Sequence, residues 1–375
     1  MQDNTFRIGV LKIRGGKLHI EGHHEFGFVD EKYEIGVVVN GETLPTEKYR
    51  IPRWDQTDDD GKLMKSFGFR VYIPLEDGME ISFVLLYEGK KVKNLRPSFG
   101  YFSKLSAQKG SYYRHGGFLL NYIDGDIICK YDSFGRALLA ELKYLFATVL
   151  PKGRFKIACY RIYAFRKSFG NDKPIWIISD RDNVARDNGE ALFKYISKLD
   201  VTDKDVYFAL DENSEDFSRM EQYGQVIKLH SRDYRLKFLM ADKIISAHAS
   251  GWTINEFGDN RRFLRDVYDF DYVFLQHGIT KDDISSWLNR FNRDISIFVT
   301  AANGEYRSIL DGSYAYTEKE VKLTGFPRYD YLESDAQKKI VFLPTWRKGI
   351  GGEAIEGTQH RVYSETFKDT EYCKF

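Results

Sequence analysis

Short apolar runs alternate with polar residues over about the first 130 positions of the chain. Residues typical of turns separate these runs, which read FRIGVLKI, KLHIEGH, EIGVVVNGE, FRVYIPL and MEISFVLLYEGKKV. In the segment 37–44, VVVNGETL, an Asn-Gly pair lies between two extended stretches and predicts a tight β-hairpin. We therefore predict that residues 1–132 form an antiparallel β-rich accessory domain, a small sandwich or barrel with an aromatic interior.

At residue 133 the spacing of apolar residues changes from that of strands to that of a helix. In SFGRALLAELKYLFATVL they recur at steps of three and four, at Phe134, Leu138, Leu142, Leu145 and Phe146. The next stretch, KGRFKIACYRIYAFRKSFG, alternates basic with aromatic residues. We interpret 133–173 as a basic helical connector. Its segment 152–168 is equally compatible with an anionic membrane surface and with a connector whose basic face is simply solvated.

From residue 174 onward, apolar runs of strand length alternate with helical segments. The runs occur in PIWIISD, DVYFAL, VIKL, KIISAHA, DYVFLQHG, ISIFVTA, VKLTGF and KIVFLPTWR. This order is typical of buried parallel strands in a doubly wound α/β fold. We assign 174–294 to one Rossmann-like domain and 295–375 to the start of a second. Because the second would hold only about three strands, too few to close such a sheet, we expect it to be incomplete and the chain to be a fragment.

The amino-acid composition limits the classes of molecule that the protein is expected to bind. The chain has 56 Lys and Arg against 55 Asp and Glu, a net charge of +1, so no nucleic-acid partner is predicted. Its three cysteines are widely spaced and fit neither a disulfide framework nor a zinc ligand set. We therefore predict a reducing cytosolic compartment, no metal and no cofactor. The sequence contains neither a signal-peptide pattern nor an apolar run of the roughly 18 residues that span a bilayer.

Candidate site residues lie at the ends of the predicted strands, because ligands of open parallel sheets bind outside the carboxyl ends. His277 follows one strand, and its near-neutral imidazole suits a general base, although a histidine at a turn is often structural. Gly278 would let the backbone turn closely and expose this ring. The first group of candidates is Asp180, Arg181, Asn188, Gly189, His248, Gln276, His277 and Gly278.

Two members of this group keep a structural alternative. His248 lies among small residues in SAHAS. It is either a second polar group of the cleft or a buried histidine whose ring nitrogens are satisfied by hydrogen bonds. The segment Asn188-Gly189-Glu190 begins a helix whose free backbone amides can hold an anion. The Asp and Arg residues before that helix could instead form a loop that only caps it.

A second group of candidates lies in LTGFPRYDYL and FLPTWRKG. Arginine together with a threonine hydroxyl suits a phosphate group, and an aromatic ring offers a flat surface to a base. Neither stretch has the glycine spacing of a Walker or dinucleotide-binding motif. These candidates are Gly325, Pro327, Arg328, Thr345 and Arg347.

Five stretches, taken in order, resemble the CDP-glycerol glycerophosphotransferase family of teichoic acid and capsule polymer synthesis. They are IWIISDRDNVARDNGEALFKYI, ADKIISAHAS, FLQHGITKDDISSWLN, LTGFPRYDYL and FLPTWR, and they cover about 174–348. The resemblance implies a GT-B fold, with two Rossmann-like domains facing a cleft. It also implies transfer of an alditol phosphate from CDP-glycerol or CDP-ribitol to a hydroxyl of a lipid-linked glycan or polyol-phosphate polymer, with release of CMP, by a cytoplasmic enzyme peripheral to the inner face of the membrane.

The resemblance gives each group of candidates a role. His277 would be the catalytic base, and it would form the acceptor side together with the rest of the first group. The second group would belong to the CDP-binding donor domain. The sequence departs from the family pattern at Gln276-His277-Gly278-Ile279, where Trp-His-Gly-Thr is frequent. Later donor-domain elements, including a second histidine, have no counterpart before Phe375, so the fragment alone is predicted to be inactive. A GT-B glycosyltransferase using a nucleotide sugar and a non-catalytic polymer-binding module are the alternatives.

Overall fold

The amino-terminal part of the chain forms two β-sheets that face one another. The computed structural model of the protein describes residues 6–24, 32–57, 63–166, 173–333, 353–354 and 361–362. The strands are β1 (Phe6–Arg14), β2 (Lys17–His24), β3 (Tyr33–Val39), β4 (Glu42–Leu44), β5 (Glu47–Thr57), β6 (Leu63–Pro74), β7 (Glu80–Tyr87), β8 (Lys90–Leu95), β9 (Ser98–Ser103), β10 (Tyr112–His115), β11 (Phe118–Ile123) and β12 (Asp126–Tyr131).

One sheet has the order β5-β6-β2-β1-β9, and the other has the order β10-β11-β12-β7-β3-β4 with β8 beside β7. Their pairings are antiparallel except that of β1 with β9, which is parallel. Phe6 and Phe69 of the first sheet pack against Phe83 and Tyr113 of the second in one buried core. The antiparallel sheets and aromatic interior that the sequence predicts for this region are present.

The predicted hairpin at Asn40 and Gly41 is confirmed. Val39 pairs with Glu42 across it, and the two turn residues have φ values of 49° and 89°. Two consecutive positive φ values define the turn whose twist matches that of paired strands, and Asn followed by Gly is the pair that adopts it at least cost.

A second architecture begins at residue 175 with a seven-stranded parallel sheet. Its strands are β13 (Ile175–Ser179), β14 (Asp205–Leu210), β15 (Gln225–Lys228), β16 (Lys243–Ser246), β17 (Asp271–Phe274), β18 (Ile295–Thr300) and β19 (Val321–Leu323). They are arranged in the order β15-β14-β13-β16-β17-β18-β19. The chain therefore reverses direction across the sheet between β13 and β16, which is the point where ligands of doubly wound sheets bind.

Helices connect and cover these strands. They are α1 (Phe134–Tyr144), α2 (Phe155–Ala164), α3 (Asn188–Ile196), α4 (Phe217–Glu221), α5 (Arg232–Met240), α6 (Gly251–Ile254), α7 (Ser285–Leu288), α8 (Arg290–Arg293) and α9 (Asn303–Asp311). A π-helical turn at Leu145–Val149 and a 3₁₀ turn at Leu150–Lys152 lie between α1 and α2, and further 3₁₀ turns occur at Gly258–Phe263 and Pro327–Tyr331. Two short strands, Glu353–Ala354 and Arg361–Val362, pair with each other.

The boundary predicted at residue 295 requires correction. β18 pairs in parallel with β17, and β19 pairs in parallel with β18, so both strands extend the first parallel sheet. They do not begin a second sheet. The physical reason is that a buried parallel strand has the same apolar signature in any sheet, so the pattern identifies the strand but not its neighbours. The predicted strand in KIVFLPTWR lies outside the described residues.

The β-rich part, the helices and the parallel sheet share a continuous interior. One buried cluster contains Val10 and Phe102 of the sandwich, Tyr160 of α2 and Phe274 of β17. Charged contacts cross the same boundary, including Lys12 Nζ to Asp294 Oδ1 at 2.7 Å. The sandwich is therefore packed onto the parallel sheet and is not a loosely tethered module.

Candidate functional site

His277 lies just beyond the carboxyl end of β17, next to the point where the strand order reverses. Gln276, which is buried, turns the chain there with a φ of 62°. Gly278 was expected to provide this turn, but the left-handed conformation belongs to Gln276. The side-chain amide of Gln276 donates to Thr280 Oγ1 at 2.8 Å and to Glu305 Oε1 at 3.2 Å, and these bonds compensate the strain of a non-glycine residue at positive φ.

Hydrogen bonds from three directions fix the backbone around His277. Glu305, a buried carboxylate of α9, accepts the amide of Thr280 at 2.8 Å. Asn188 Nδ2 donates to the carbonyl of Gln276 at 2.6 Å, and Arg328 donates from its guanidinium to the carbonyl of His277 at 2.8 Å. The position of the His277 ring is therefore set by α3, α9 and the turn at 327–331 together.

The rings of His277 and His248 stack. Their centroids are 4.4 Å apart and their planes differ by 13°. His277 Nδ1 lies 3.2 Å from the carbonyl oxygen of Ala247, an arrangement in which Nδ1 carries the proton and donates it. Nε2 then holds a lone pair on an exposed ring. Desolvation and the neighbouring His248 lower the pKa of His277, so the ring is neutral at pH 7.

Charged groups from three other strand or helix ends surround the two histidines. Arg181, which follows β13, has its Nε 3.4 Å from His248 Nε2. Asp187 Oδ2 lies 3.6 Å from the same nitrogen, and Asp187 also pairs with the guanidinium of Arg328. The sheet order therefore brings His248, His277 and Arg181 to one place, as the rule of strand ends predicts.

The start of α3 fits the second of the two alternatives that the sequence leaves open, a loop that caps the helix. Its backbone amides are not free to hold an anion, because the carboxylate of Asp180 accepts the amides of Asp187, Gly189 and Glu190 at 2.7–3.0 Å. Burial and the nearby Asp187 raise the pKa of Asp180 to about 7, while the three amides act in the opposite direction. Asp180 is fully buried, so it supports the loop and does not face a ligand.

The second group of candidates is only partly described. Gly325, with a φ of 79°, and Pro327 turn the chain after β19, so that the backbone amide of Arg328 donates to Asn188 Oδ1 at 3.1 Å. Arg328 thus contacts residues of the first group, although the sequence assigned it to a separate domain. Thr345 and Arg347 lie outside the described residues.

A cavity of about 300 Å³ lies near the beginning of β17 rather than at its end. Arg114 and His115 of β10, together with Glu141, Arg161 and Asp266, form much of its lining. Its charged groups are paired with each other, for example Arg161 with Glu141 and with Asp266, both at 2.7 Å. We therefore regard this cavity as part of the packing between sandwich, helices and sheet, and we place the candidate site at His277.

Comparison with known proteins decides the family. Residues 159–371 match the family described as CDP-Glycerol:Poly(glycerophosphate) glycerophosphotransferase. The chain belongs to this family.

A curated relative supports the same assignment. Over 99% of its length the chain is 32% identical to the minor teichoic acid biosynthesis protein GgaB of Bacillus subtilis (strain 168). The chain spans 43% of the length of that relative. Among solved structures, the wall teichoic acid polymerase TagF is similar with a TM-score of 0.34 and 13% identity, covering 53% of this chain and 49% of TagF.

Two residues of this glycerophosphotransferase family member that matter to the site were missed by the sequence reasoning. Asp187 contacts both His248 and Arg328, and Glu305 holds the loop that follows His277. The sequence places Asp187 in the loop before a helix without singling it out, and its position at the cap of α3 is the available signal. Glu305 had no signal, because an acidic residue in the first turn of a helix is ordinarily explained by the helix dipole.

Proposed function

We propose that this chain provides the acceptor side of a glycerophosphotransferase, with His277 as the general base. The observation that carries the proposal is the Nδ1 contact of His277 to Ala247, which leaves Nε2 as a proton acceptor on an exposed ring. A neutral imidazole at neutral pH suits this role. The substrates we propose are CDP-glycerol or CDP-ribitol as donor, and a hydroxyl of a lipid-linked glycan or polyol-phosphate polymer as acceptor.

The chemical step is a displacement at phosphorus. Nε2 of His277 takes the proton of the acceptor hydroxyl as the oxygen attacks the β-phosphorus of the CDP-alditol. The new oxygen–phosphorus bond forms, the bond from the β-phosphorus to the bridging oxygen breaks, and CMP leaves with that oxygen. Arg181, which is exposed beside His248, would stabilise charge on the phosphoryl oxygens, which is the main contribution of a protein to phosphoryl transfer.

The domain arrangement that accompanies this function is also a proposal. We infer that the parallel sheet of 175–323 is the acceptor domain of a GT-B enzyme and that the donor domain begins after it. The family supports this arrangement. The β-rich residues 1–132 would then be an accessory domain that is fixed to the acceptor domain by their shared core.

Donor specificity tests the function. The protein at its full natural length is incubated with acceptor and with CDP-glycerol, CDP-ribitol or a panel of nucleotide sugars, and the released nucleotide is identified. We expect CMP from a CDP-alditol. Release of a nucleoside diphosphate from a nucleotide sugar would instead identify a glycosyltransferase, and polymer binding without any turnover would identify a binding module.

We further propose that α1 and α2 contact an anionic membrane surface. Apolar side chains on both helices and on the π-helical turn between them are exposed, with Leu139, Phe146 and Phe155 each about two-thirds accessible. Exposed basic residues flank them: Lys143, Lys152, Arg154 and Lys156. Apolar rings and cationic groups side by side fit a lipid surface, where each kind of group finds a partner. No helix within the described residues is long and apolar enough to cross a bilayer.

Replacing Leu139, Phe146 and Phe155 together by serine should weaken binding to phosphatidylglycerol-containing vesicles by about tenfold, because these side chains would no longer leave water. Binding is measured by vesicle sedimentation at low and high salt. Leu199→Ser, which changes an exposed apolar residue elsewhere, is the control. Equal binding by all three proteins would refute membrane contact through these helices, and dimerisation lost in the triple variant would indicate a protein partner instead.

A further inference from the structure

Asp187 occupies the cap of α3 and faces two neighbours of His277 at once. Its Oδ1 accepts the backbone amide of Asn188 at 2.8 Å and also pairs with the guanidinium of Arg328. Its Oδ2 lies 3.6 Å from His248 Nε2. One carboxylate therefore contacts the arginine that holds the His277 backbone and also lies beside the histidine that stacks on the His277 ring.

The arginine side of this arrangement controls the backbone of His277. Arg328 donates from its second guanidinium nitrogen to the carbonyl of His277 at 2.8 Å, while the first is paired with Asp187. A guanidinium has a planar arrangement of donors, so a carboxylate that fixes one nitrogen also orients the other. Without Asp187, Arg328 would lose the partner that directs it towards His277.

The histidine side places Arg181 and Asp187 beside the same nitrogen of His248. Arg181 Nε lies 3.4 Å and Asp187 Oδ2 lies 3.6 Å from His248 Nε2. The ring is otherwise fixed through its backbone, since its carbonyl accepts from the hydroxyl of Tyr272 at 2.9 Å and its amide donates to Ser246 Oγ at 3.1 Å. The stacked ring of His248 therefore has a cation and a carboxylate within 3.6 Å of its Nε2.

We propose that Asp187 is a positioning residue of the two-histidine site, which orients Arg328 against the His277 backbone and places a negative charge beside the stacked rings of His248 and His277. It acts through its neighbours and takes no part in bond formation. This inference goes beyond the proposed function but rests on it for one of its two tests.

The charges around His277 determine the direction in which its pKa should change when Asp187 is replaced. The groups that face it are His248 after β16, Arg181 after β13, Asp187 at the start of α3 and Arg328 in the turn at 327–331. Burial and His248 lower the pKa of His277, whereas the negative charge of Asp187 raises it. Burial alone would raise the pKa of Asp187, but His248, the amide of Asn188 and Arg328 bring it below its usual value, so Asp187 is ionised at neutral pH.

Asp187→Asn is the test variant, because asparagine has nearly the same shape and caps a helix as well as aspartate does. Loss of the negative charge should lower the pKa of His277 further, because the charge of Asp187 raises it. This is measured by NMR titration of the histidine rings in the protein, with His277→Ala to assign the resonance. In the CMP-release assay, the acidic limb of the pH profile should move to lower pH, and kcat should fall by about tenfold with little change in KM.

Asp182→Asn is the matched control, since it removes one exposed negative charge from the same loop. We expect it to shift neither the titration nor the profile. Asp187→Glu keeps the charge and should keep the His277 titration close to that of the original protein. An unchanged titration in Asp187→Asn would overturn the proposal whether or not the protein is a transferase. A shifted titration with no CMP release by the unmodified protein would uphold the electrostatic role and refute the proposed function.

Discussion

His277→Ala should lower the rate of CMP release by about 100- to 10,000-fold, the range that a positioned general base contributes. This variant lacks the ring whose Nε2 would take the proton of the acceptor hydroxyl. The fold should persist, because the ring of His277 is exposed and its side-chain hydrogen bond goes to a single backbone carbonyl, that of Ala247. The measurement is CMP release at saturating donor, with circular dichroism to verify the fold.

His230→Ala provides the comparison for this experiment. His230 is another partly exposed histidine, and its Nδ1 lies 2.6 Å from Glu256 Oε2, away from the stacked pair. Its removal should leave CMP release within about twofold, which is usual for a surface substitution outside a site. If His277→Ala retained the same activity as His230→Ala, the base would have to be another group.

The sequence predicted the position of His277 better than it predicted the surroundings. The rule that ligands bind at the carboxyl ends of parallel strands places His248, His277 and Arg181 together once the strand order is known. Short apolar runs and the Asn-Gly turn are local signals, and local signals are what a sequence displays most directly.

Features that depend on tertiary contacts were not predictable in the same way. The sheet that β18 joins depends on which neighbour offers free backbone groups, and the turn at Gln276 depends on a distant carboxylate, Glu305. Arg328 was assigned to a separate group because 140 positions along the chain separate it from Asn188, which it nevertheless contacts. Such contacts follow from the packing of whole elements and leave no periodic trace in the sequence.

A buried charge joins α1 and α2 to the residues that precede β17 of the parallel sheet. Arg161 of α2 is almost fully buried and lies between two carboxylates, Glu141 of α1 and Asp266 before β17. It also donates to the carbonyl of Phe263 at 2.7 Å. Burial of charges is costly unless each has a partner, so the arginine and the two carboxylates stabilise the interface only as a set.

Arg161→Ala should therefore lower the free energy of unfolding by about 3–5 kcal/mol, because it leaves Glu141 and Asp266 buried without their cation. Unfolding in urea, followed by circular dichroism, measures the change. Lys156→Ala, at an exposed position of the same helix, should change stability by less than about 0.5 kcal/mol. A loss below about 1 kcal/mol in Arg161→Ala would mean that water or a rearranged side chain satisfies the two carboxylates.

The pH dependence of stability distinguishes two causes of destabilisation in Arg161→Ala, uncompensated charge and lost packing. Burial already raises the pKa of Asp266, and Arg161 acts in the opposite direction, so removal of Arg161 should raise this pKa further above its value in the unfolded state. The folded state then binds the proton more strongly, and the variant should gain stability as the pH falls through the raised value towards about 4. The stability difference from the original protein should therefore shrink on acidification. A difference that stays constant with pH would mean that lost packing of the arginine side chain, and not uncompensated charge, causes the destabilisation.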